Sequence, residues 1–159
     1  MSRKGKMIFG WEEWCSLPKL NLPIIKAKID SGAKTSCLHA VNIKAIRKGE
    51  KRYIDFDIHP IQKNKKIVVR CRAPRVDKRS VKSSTGHKEK RYVISTPISI
   101  GNKCWDIEIT LTNRDSMGYR MLIGREAMKG MALIDPERSF LQKELENKKA
   151  KEFYIKGRK

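Results

Sequence analysis

Asp30, Ser31 and Gly32 form the stretch of the sequence with the clearest capacity for acid–base chemistry. A carboxylate on a short turn can be held at one point, and nearby amides and hydroxyls can bind it and tune its pKa. Taken alone, the tripeptide is typical of an ordinary Asx-turn, in which the Asp side chain bonds to the backbone two residues further on. The surrounding sequence must therefore decide between a structural turn and a catalytic one.

The residues before the turn predict a strand that ends at Asp30. Ile25, Ala27 and Ile29 alternate with two lysines, which indicates a half-buried strand. Gly32 permits the tight turn that follows. The carboxylate is therefore expected at the end of a strand whose other side faces the core.

Short alternating runs elsewhere predict a mostly β protein. The predicted strands are Val41–Arg47, Tyr53–Ile58, Ile67–Cys71, Tyr92–Ile100, Trp105–Thr112, Met121–Ile123 and Ala132–Ile134. A hairpin turns at Gly101-Asn102, and Gly124–Lys129 has the composition of a short helix that ends near Gly130. Arg72–Ser84 is a charged passage interrupted by proline, and its end forms one arm of a hairpin that turns at Thr85-Gly86-His87. Many short strands with frequent turns are typical of a small barrel or sandwich.

The chain is strongly basic. Its 159 residues include 37 Lys or Arg and 17 Asp or Glu, which gives a formal net charge of +20. Residues 62–91 alone hold twelve basic and two acidic side chains. Such a balance predicts an anionic partner: nucleic acid, an acidic polypeptide or an anionic membrane.

The cysteines and histidines do not predict a cofactor site. Cys15, Cys37, Cys71 and Cys104 form no C-x-x-C pair, and the three histidines fit no zinc pattern. There is no phosphate-binding glycine fingerprint either, so we expect neither zinc nor ATP. No apolar signal stretch or membrane-length run is present, and we expect reduced core thiols in a cytoplasmic protein.

Two short motifs carry a resemblance to a known family. Asp30-Ser31-Gly32-Ala33 and Leu122-Ile123-Gly124-Arg125 resemble the active-site loop and its backing strand in retropepsin-like aspartic peptidases. More closely, the chain resembles the bacterial and archaeal proteins known as ATP-dependent zinc proteases or RimK-associated proteases. The segments that match are GWEEW, LPIIKAKIDSGAKTSCLHA, VKSSTGHKEKRYVI and ITLTNRDSMGYRMLIGREAM.

The resemblance implies a small closed β-barrel of the retropepsin, or acid protease, type with one short C-terminal helix. On this basis residues 1–140 form the peptidase domain. Residues 141–159 lie outside the match and form a basic tail, expected to be a solvated or frayed helix.

The resemblance also implies the chemistry. Aspartic peptidases need two carboxylates that share a proton, and this chain supplies one such loop, so we expect a homodimer with one catalytic Asp30 from each subunit. We expect two groups of residues to support the catalytic loop: its remaining members, Ser31, Gly32 and Ala33, and the backing strand, Leu122, Ile123 and Gly124. The hairpin at Ser84, Thr85, Gly86 and His87 is either a flap over the substrate or a plain surface hairpin.

The expected substrate is acidic. Proteins of this family are associated with RimK-type ligases, which add glutamate to a ribosomal protein, so we expect a glutamate-rich polypeptide as substrate and an association with such a ligase or ribosomal protein. The candidate steering residues are Lys78, Arg79, Lys82, Lys88, Lys90 and Arg91. Two alternatives remain open: a basic nucleic-acid-binding or ribosome-associated protein with a catalytically silent protease fold, and a dimeric interaction protein with a degenerate one.

Overall fold

Strands make up most of the chain in the computed structural model, which describes residues 5–61, 64–82, 85–113, 118–142 and 147–156. The strands are β1 (Met7–Phe9), β2 (Glu12–Leu17), β3 (Leu22–Ile29), β4 (Ser36–His39), β5 (Val41–Lys48), β6 (Lys51–Ile58), β7 (Val69–Lys82), β8 (Lys88–Ile100), β9 (Lys103–Thr112), β10 (Met121–Ile123) and β11 (Ala132–Ile134). The helices are α1 (Arg125–Met128) and α2 (Asn147–Lys156), with a 3-10 turn at Pro18–Leu20.

A ring of hydrogen-bonded strands closes the barrel. Its order is β2, β3, β10, β4, β9 and β8, and β8 returns to β2 where Ser99 pairs with Ser16. From β8 the sheet continues outward through β7, β6 and β5, while β1 and β11 form a separate parallel pair. The predicted mostly β, closed barrel is therefore confirmed.

The short strand β10 lies between β3 and β4. It runs parallel to β3, with Ile123 opposite Ile29, and antiparallel to β4, with Leu122 opposite Cys37. The loop that joins β3 to β4 contains Asp30, so β10 lies between the two strands that this loop connects. Residues about ninety positions apart in the sequence, such as Ile29 and Ile123, are therefore in direct contact.

Buried apolar side chains from most of the strands form one hydrophobic core. On β3, Ile25 and Ala27 are fully buried while Lys28 is exposed, as the sequence pattern predicts. On β6, Ile54, Phe56 and Ile58 are buried. Each buried Ile or Phe stabilises the fold by about 1.5–3 kcal/mol relative to exposure, so this interior fixes the register of the strands that surround it.

Strand β7 is longer than the sequence predicts, because it continues through the charged passage and its proline. Pro74 pairs with Tyr53 on β6, and from Arg75 onward the strand pairs with β8 instead. The missing proline N–H therefore falls where β7 changes partner, where it disrupts least. An irregularity in register between Arg75 and Asp77 makes room for the extra residue, Val76.

The C-terminal residues are not a fully solvated tail. On α2, Ala150 and Tyr154 are buried four residues apart, and the Tyr154 hydroxyl donates a hydrogen bond to the Ile24 carbonyl. Upstream, the fully buried Glu13 carboxylate accepts hydrogen bonds from the Leu141 and Gln142 amides. These contacts attach the segment after residue 140 to the barrel.

The cysteines are all free, but not all are core residues. Cys15, Cys37 and Cys71 are buried, whereas Cys104 is exposed. The expectation of four core thiols was wrong for Cys104, because it lies at the start of β9 on the outward-facing side, next to the Gly101 turn. No helix in the described part of the chain has the length and apolar character needed to cross a membrane.

Candidate active site

Asp30 lies at the end of β3 on a turn held by backbone hydrogen bonds. Its amide donates to the Ile123 carbonyl at 2.9 Å, and its carbonyl accepts from the Ala33 amide at 3.2 Å. The Gly32 amide donates to Asp30 Oδ1 at 3.0 Å, which closes the Asx-turn. The backbone of half-buried Asp30 is therefore held by β10, and its carboxylate is held by its own loop.

Helix α1 supports the same loop from behind. The Arg125 amide donates to the Ala33 carbonyl at 2.8 Å, and the Glu126 amide donates to the Lys34 carbonyl at 3.1 Å. The Arg125 guanidinium reaches the carbonyls of Ser31 and Gly32, at 3.3 and 3.2 Å. Arg125 therefore braces the loop that carries Asp30.

Ser36 makes a contact that the sequence does not reveal. At the start of β4, its hydroxyl accepts a hydrogen bond from the Gly124 amide at 3.0 Å, and both groups are buried. The bond joins the far end of the Asp30 loop to the glycine that follows β10. No local pattern marks Ser36, because the contact depends on residues 88 positions apart.

A cleft of about 1210 Å³ opens above Asp30. Its floor includes Asp30 and the loop up to Thr35, with Leu122 beside them. Strand β9 contributes Asp106, Glu108 and Thr110 to the wall, and the β7–β8 hairpin contributes the part of the wall beside it. The hairpin residues that line the cleft are Arg79, Ser80, Val81, Lys82 and Arg91.

The hairpin separates its charges onto two faces. Residues directly opposite one another in an antiparallel pair share a face. Arg79 and Arg91 are such a pair, and they lie on the cleft face. Lys82 and Lys88 are another pair, on the other face, although Lys82, near the turn, also borders the cleft. The six candidate steering residues are therefore divided between the two faces of the hairpin, because side chains on a strand alternate in direction.

The cleft face is balanced in charge and the other face is not. Arg79 bonds to Asp77 at 2.6 Å and to Glu108 at 2.9 Å, and Arg91 bonds to Glu89 at 3.1 Å. These contacts hold the pKa of Asp77 below its usual range, chiefly through the Arg79 hydrogen bond. The opposite face carries exposed Lys78, Lys82, Lys88 and Lys90, with Arg75 and Lys78 above the ring of Tyr92.

The turn of this hairpin has a glycine where the backbone requires one. Gly86 has a φ of +87°, a region that side chains rarely adopt. Thr85 and His87 beside it are exposed, and Ser84 lies outside the described residues. Lys82 pairs with Lys88, so the strands are joined up to the turn and the predicted hairpin is present.

The comparison with known families decides the relationship. The model of the RimB-like family, described as retropepsin-like aspartic endopeptidase RimB, matches residues 8–145. The chain belongs to this family. The matched range includes the Asp30 loop, the hairpin, β10 and α1, so every part of the cleft described above lies within it.

Relatives of the family match closely but are longer. The chain is 54% identical over 136 residues to a protein named "Probable alpha-L-glutamate ligase" from Shewanella pealeana, covering 86% of this chain and 30% of the relative. A protein of the same name from Desulfotalea psychrophila is 52% identical over 132 residues, which are 83% of this chain and 28% of the relative. The chain thus spans less than a third of the length of these relatives.

A solved structure also matches. The crystal structure of Lpg0085, a protein of unknown function from Legionella pneumophila, is 33% identical with a TM-score of 0.72. The match covers 86% of this chain and 98% of the Legionella chain. The barrel is therefore shared across most of both chains.

A zinc site is a further possibility to test in this cleft, because the sequence resembles proteins known as zinc proteases. Among the residues that the structure describes, no three His, Cys, Asp or Glu side chains are grouped so that they could hold a metal ion. Cleft carboxylates are present, but Glu108 is bonded to Arg79. The residues present do not fit a zinc site, and no chemical step is derived through one.

Proposed function

We propose that this protein is an aspartic endopeptidase in which Asp30 is the catalytic residue. The observation that carries the proposal is the position of Asp30, whose carboxylate lies on a backbone-braced turn in a cleft of about 1210 Å³. Membership of a family described as aspartic endopeptidases supports the same assignment. The names of the longer relatives indicate a ligase, but they describe chains of which this one matches less than a third.

The mechanism requires a second carboxylate. One carboxylate takes a proton from the attacking water, while the other donates a proton to the oxygen of the peptide carbonyl as the tetrahedral intermediate forms. Two like charges about 3 Å apart cannot both ionise, so the pair shares one proton. Since the sequence has a single Asp-Ser-Gly turn, the second carboxylate is proposed to be Asp30 of an identical subunit across a two-fold axis.

The residues around Asp30 are proposed to keep this pair in place. Ser31 is exposed beside the carboxylate, where its hydroxyl would meet the partner loop. Gly32 and Ala33 complete the turn, and Leu122, Ile123 and Gly124 support it from behind. The hairpin from Ser84 to His87 is proposed to act as a flap, since its arms form one wall of the cleft.

An acidic, glutamate-rich polypeptide is the proposed substrate. Two observations support it: the excess of basic residues on the hairpin, and the name of relatives that contain a similar region within a longer glutamate ligase. A chain that carries added glutamates is the product of such a ligase. The proposed partners are therefore a RimK-type ligase and its modified ribosomal protein.

A second function is supported by one observation. The outward face of the hairpin carries Lys78, Lys82, Lys88 and Lys90, while both hairpin carboxylates, Asp77 and Glu89, share the cleft face with the arginines. An unbalanced row of lysines also suits a nucleic-acid phosphate backbone. Binding to RNA with no cleavage of any peptide would favour this function over the peptidase.

The substitution Asp30→Asn tests the peptidase. It removes the proton site but keeps the shape of the side chain, so we expect loss of peptide cleavage with an unchanged melting temperature and oligomeric state. EDTA is expected to leave wild-type cleavage intact. Cleavage that persists in Asp30→Asn, or that EDTA removes and zinc restores, would contradict the mechanism.

A further inference from the structure

Arg91 is a buried cation in the wall of the Asp30 cleft. Its side chain is 8% exposed, yet it lines the cleft. Nε donates to Glu89 at 3.1 Å, and Nη1 donates to the Cys37 sulfur at 3.7 Å. The Glu89 carboxylate also accepts a hydrogen bond from the Thr112 hydroxyl, so the ion pair is itself held in place.

A buried arginine with this arrangement is suited to short-range recognition. Burial of a charge is costly unless it is paired, and Glu89 supplies the pairing. A guanidinium has five N–H groups in one plane, and the bonds to Glu89 and Cys37 use two of them. Arg91 is thus fixed in orientation while it remains able to donate to a group in the cleft.

We propose that Arg91 binds a side-chain carboxylate of the substrate and so makes the cleft selective for glutamate. This inference rests on the proposed peptidase function. Cys37, which Arg91 contacts, lies on β4, two strands away from the end of β3 at Asp30. At about 4.8 Å between strands, the lateral distance is roughly 10 Å, and Asp30 lies two residues beyond Lys28, which is level with Cys37, so the separation is roughly 12 Å. An extended peptide advances about 3.4 Å per residue, so the selected glutamate is within about four residues of the bond that is cut.

Arg91 differs in kind from the lysines on the outward face. Lys90 is the residue before Arg91 in the sequence, but its side chain points to the other face and is exposed. Its attraction for an acidic chain is therefore long-range and screened by salt. A contact inside the cleft is desolvated and is screened much less. Salt therefore separates steering by lysines from selection by Arg91.

The test compares two quenched peptides of ten residues, one alternating Glu with Ala and the other alternating Gln with Ala. Arg91→Gln is expected to lower the ratio of kcat/KM for the Glu peptide to that for the Gln peptide by roughly ten- to a hundredfold, as expected for loss of a hydrogen bond to a charged group. Arg91→Lys, which keeps the charge but loses the planar fork, is expected to restore only part of the ratio.

Arg72→Gln is the matched control. Arg72 bonds to Asp55 across the β6–β7 pair, at 2.6 and 2.9 Å, and does not line the cleft. The same substitution there is expected to leave the Glu-to-Gln ratio unchanged. Because loss of Arg91 removes the cation bonded to the Glu89 carboxylate, a double variant, Glu89→Gln with Arg91→Gln, guards against misfolding, and its melting temperature is measured first.

A binding measurement gives a readout that does not depend on turnover. In protein made inactive by Asp30→Asn, the fluorescence anisotropy of the labelled Glu peptide should show weaker binding when Arg91→Gln is added, at 0.1 M and at 0.5 M salt alike. Equal loss of cleavage on both peptides in Arg91→Gln would make Arg91 structural and overturn this inference while the peptidase stands. Failure of wild type to cut either peptide would overturn the proposed function, and this inference with it.

Discussion

Gly124 lies so close to Thr35 that a Cβ atom on the glycine would be 2.7 Å from the Thr35 carbonyl carbon. The same atom would lie 2.9 Å from the Ala33 carbonyl oxygen. Both neighbours are backbone atoms of the Asp30 loop, so neither can move without moving the loop. The glycine after β10 therefore sets how closely α1 approaches the residues that carry the proposed catalytic carboxylate.

Gly124→Ala is expected to damage activity more than stability. The added methyl must displace backbone, which costs about 1–3 kcal/mol, or a fall of several degrees in melting temperature for a domain of this size. Because the displaced segment holds Asp30, we expect at least a tenfold fall in kcat in protein that remains folded. Peptide cleavage and thermal unfolding measured together check this.

Gly118→Ala is the matched control, since no atom of the described residues, apart from its chain neighbours, lies within 4 Å of a Cβ built at Gly118. It should leave the melting temperature within about a degree of wild type. Full activity in Gly124→Ala would show that the close approach to Thr35 does not position Asp30.

The exposure of the thiols predicts their reactivity. Burial raises the pKa of Cys71 to about 12, with a further contribution from Asp57, and burial raises the pKa of Cys15 well above its usual range. Because the thiolate is the reactive form, a raised pKa lowers reactivity at any given pH. At pH 8 a thiol reagent should modify the exposed Cys104 rapidly and these two buried thiols only on unfolding.

The measurement is the number of thiols that react in the fast phase with a chromogenic disulfide. Cys104→Ser should remove that phase. Raising the pH to 10 should not make Cys71 reactive while the protein stays folded, since this pH is still well below its raised pKa. A fast phase that survives in Cys104→Ser would contradict the burial of the other thiols.

The sequence predicts those parts of the fold that depend on local pattern. The strand before Asp30, the Gly101-Asn102 hairpin and the helix after Gly124 all have periodicity or turn residues that mark them, and the structure contains each of them. The closed barrel itself enters through the family resemblance, because ring closure between β2 and β8 leaves no local signal.

The parts that the sequence misses depend on contacts between distant residues. From the sequence alone, Pro74 indicates that no strand passes through it, because its position where β7 changes from β6 to β8 is not visible. Ser36 has no distinguishing pattern, because its hydrogen bond is to the distant Gly124. The composition does not distinguish Arg91 from the exposed basic residues around it, although the alternation of side chains along β8 places it in the cleft wall. Ala150 and Tyr154, four residues apart, give a signal for a packed helix that the charge of the tail obscures.

Activity is expected to depend on protein concentration. If each subunit supplies one Asp30, cleavage per subunit should fall when the protein is diluted below the dissociation constant of the dimer. Sedimentation velocity over the same concentrations should show the dimer disappearing in parallel. Mixing wild type with an excess of Asp30→Asn should inhibit cleavage, because a mixed dimer has an Asp30 carboxylate in only one of its two subunits.

A fully active monomer would contradict this assembly and would point to a second carboxylate within the same cleft. Asp106 and Glu126 are exposed there and are the groups to substitute in that case. Loss of activity in Glu126→Gln or Asp106→Asn, with activity independent of dilution, would replace the shared dyad by a pair from one chain.

The preference for an acidic substrate is expected to depend on salt through the outward face of the hairpin. Each exposed lysine contributes only ~0–1 kcal/mol in a single ion pair, but several on one face raise the local potential and gather an anionic chain. The Debye length falls from ~10 Å at 0.1 M to ~3 Å at 1 M, so this part of the preference should fade as salt is added. The measurement is kcat/KM for an oligoglutamate-tailed peptide and for a neutral peptide of equal length across that range.

Replacing Lys78, Lys82, Lys88 and Lys90 by Gln should flatten the salt dependence while the contact made by Arg91 persists. A matched variant that replaces Lys44, Arg47, Lys48 and Lys51, which are exposed on β5 and β6, removes the same charge outside the hairpin and should retain the wild-type slope. Equal slopes in the two variants would show that net charge, and not this face, attracts the substrate. If the hairpin variant instead loses salt-sensitive binding to RNA, and wild type cleaves neither peptide, the lysines serve nucleic acid and the peptidase assignment fails.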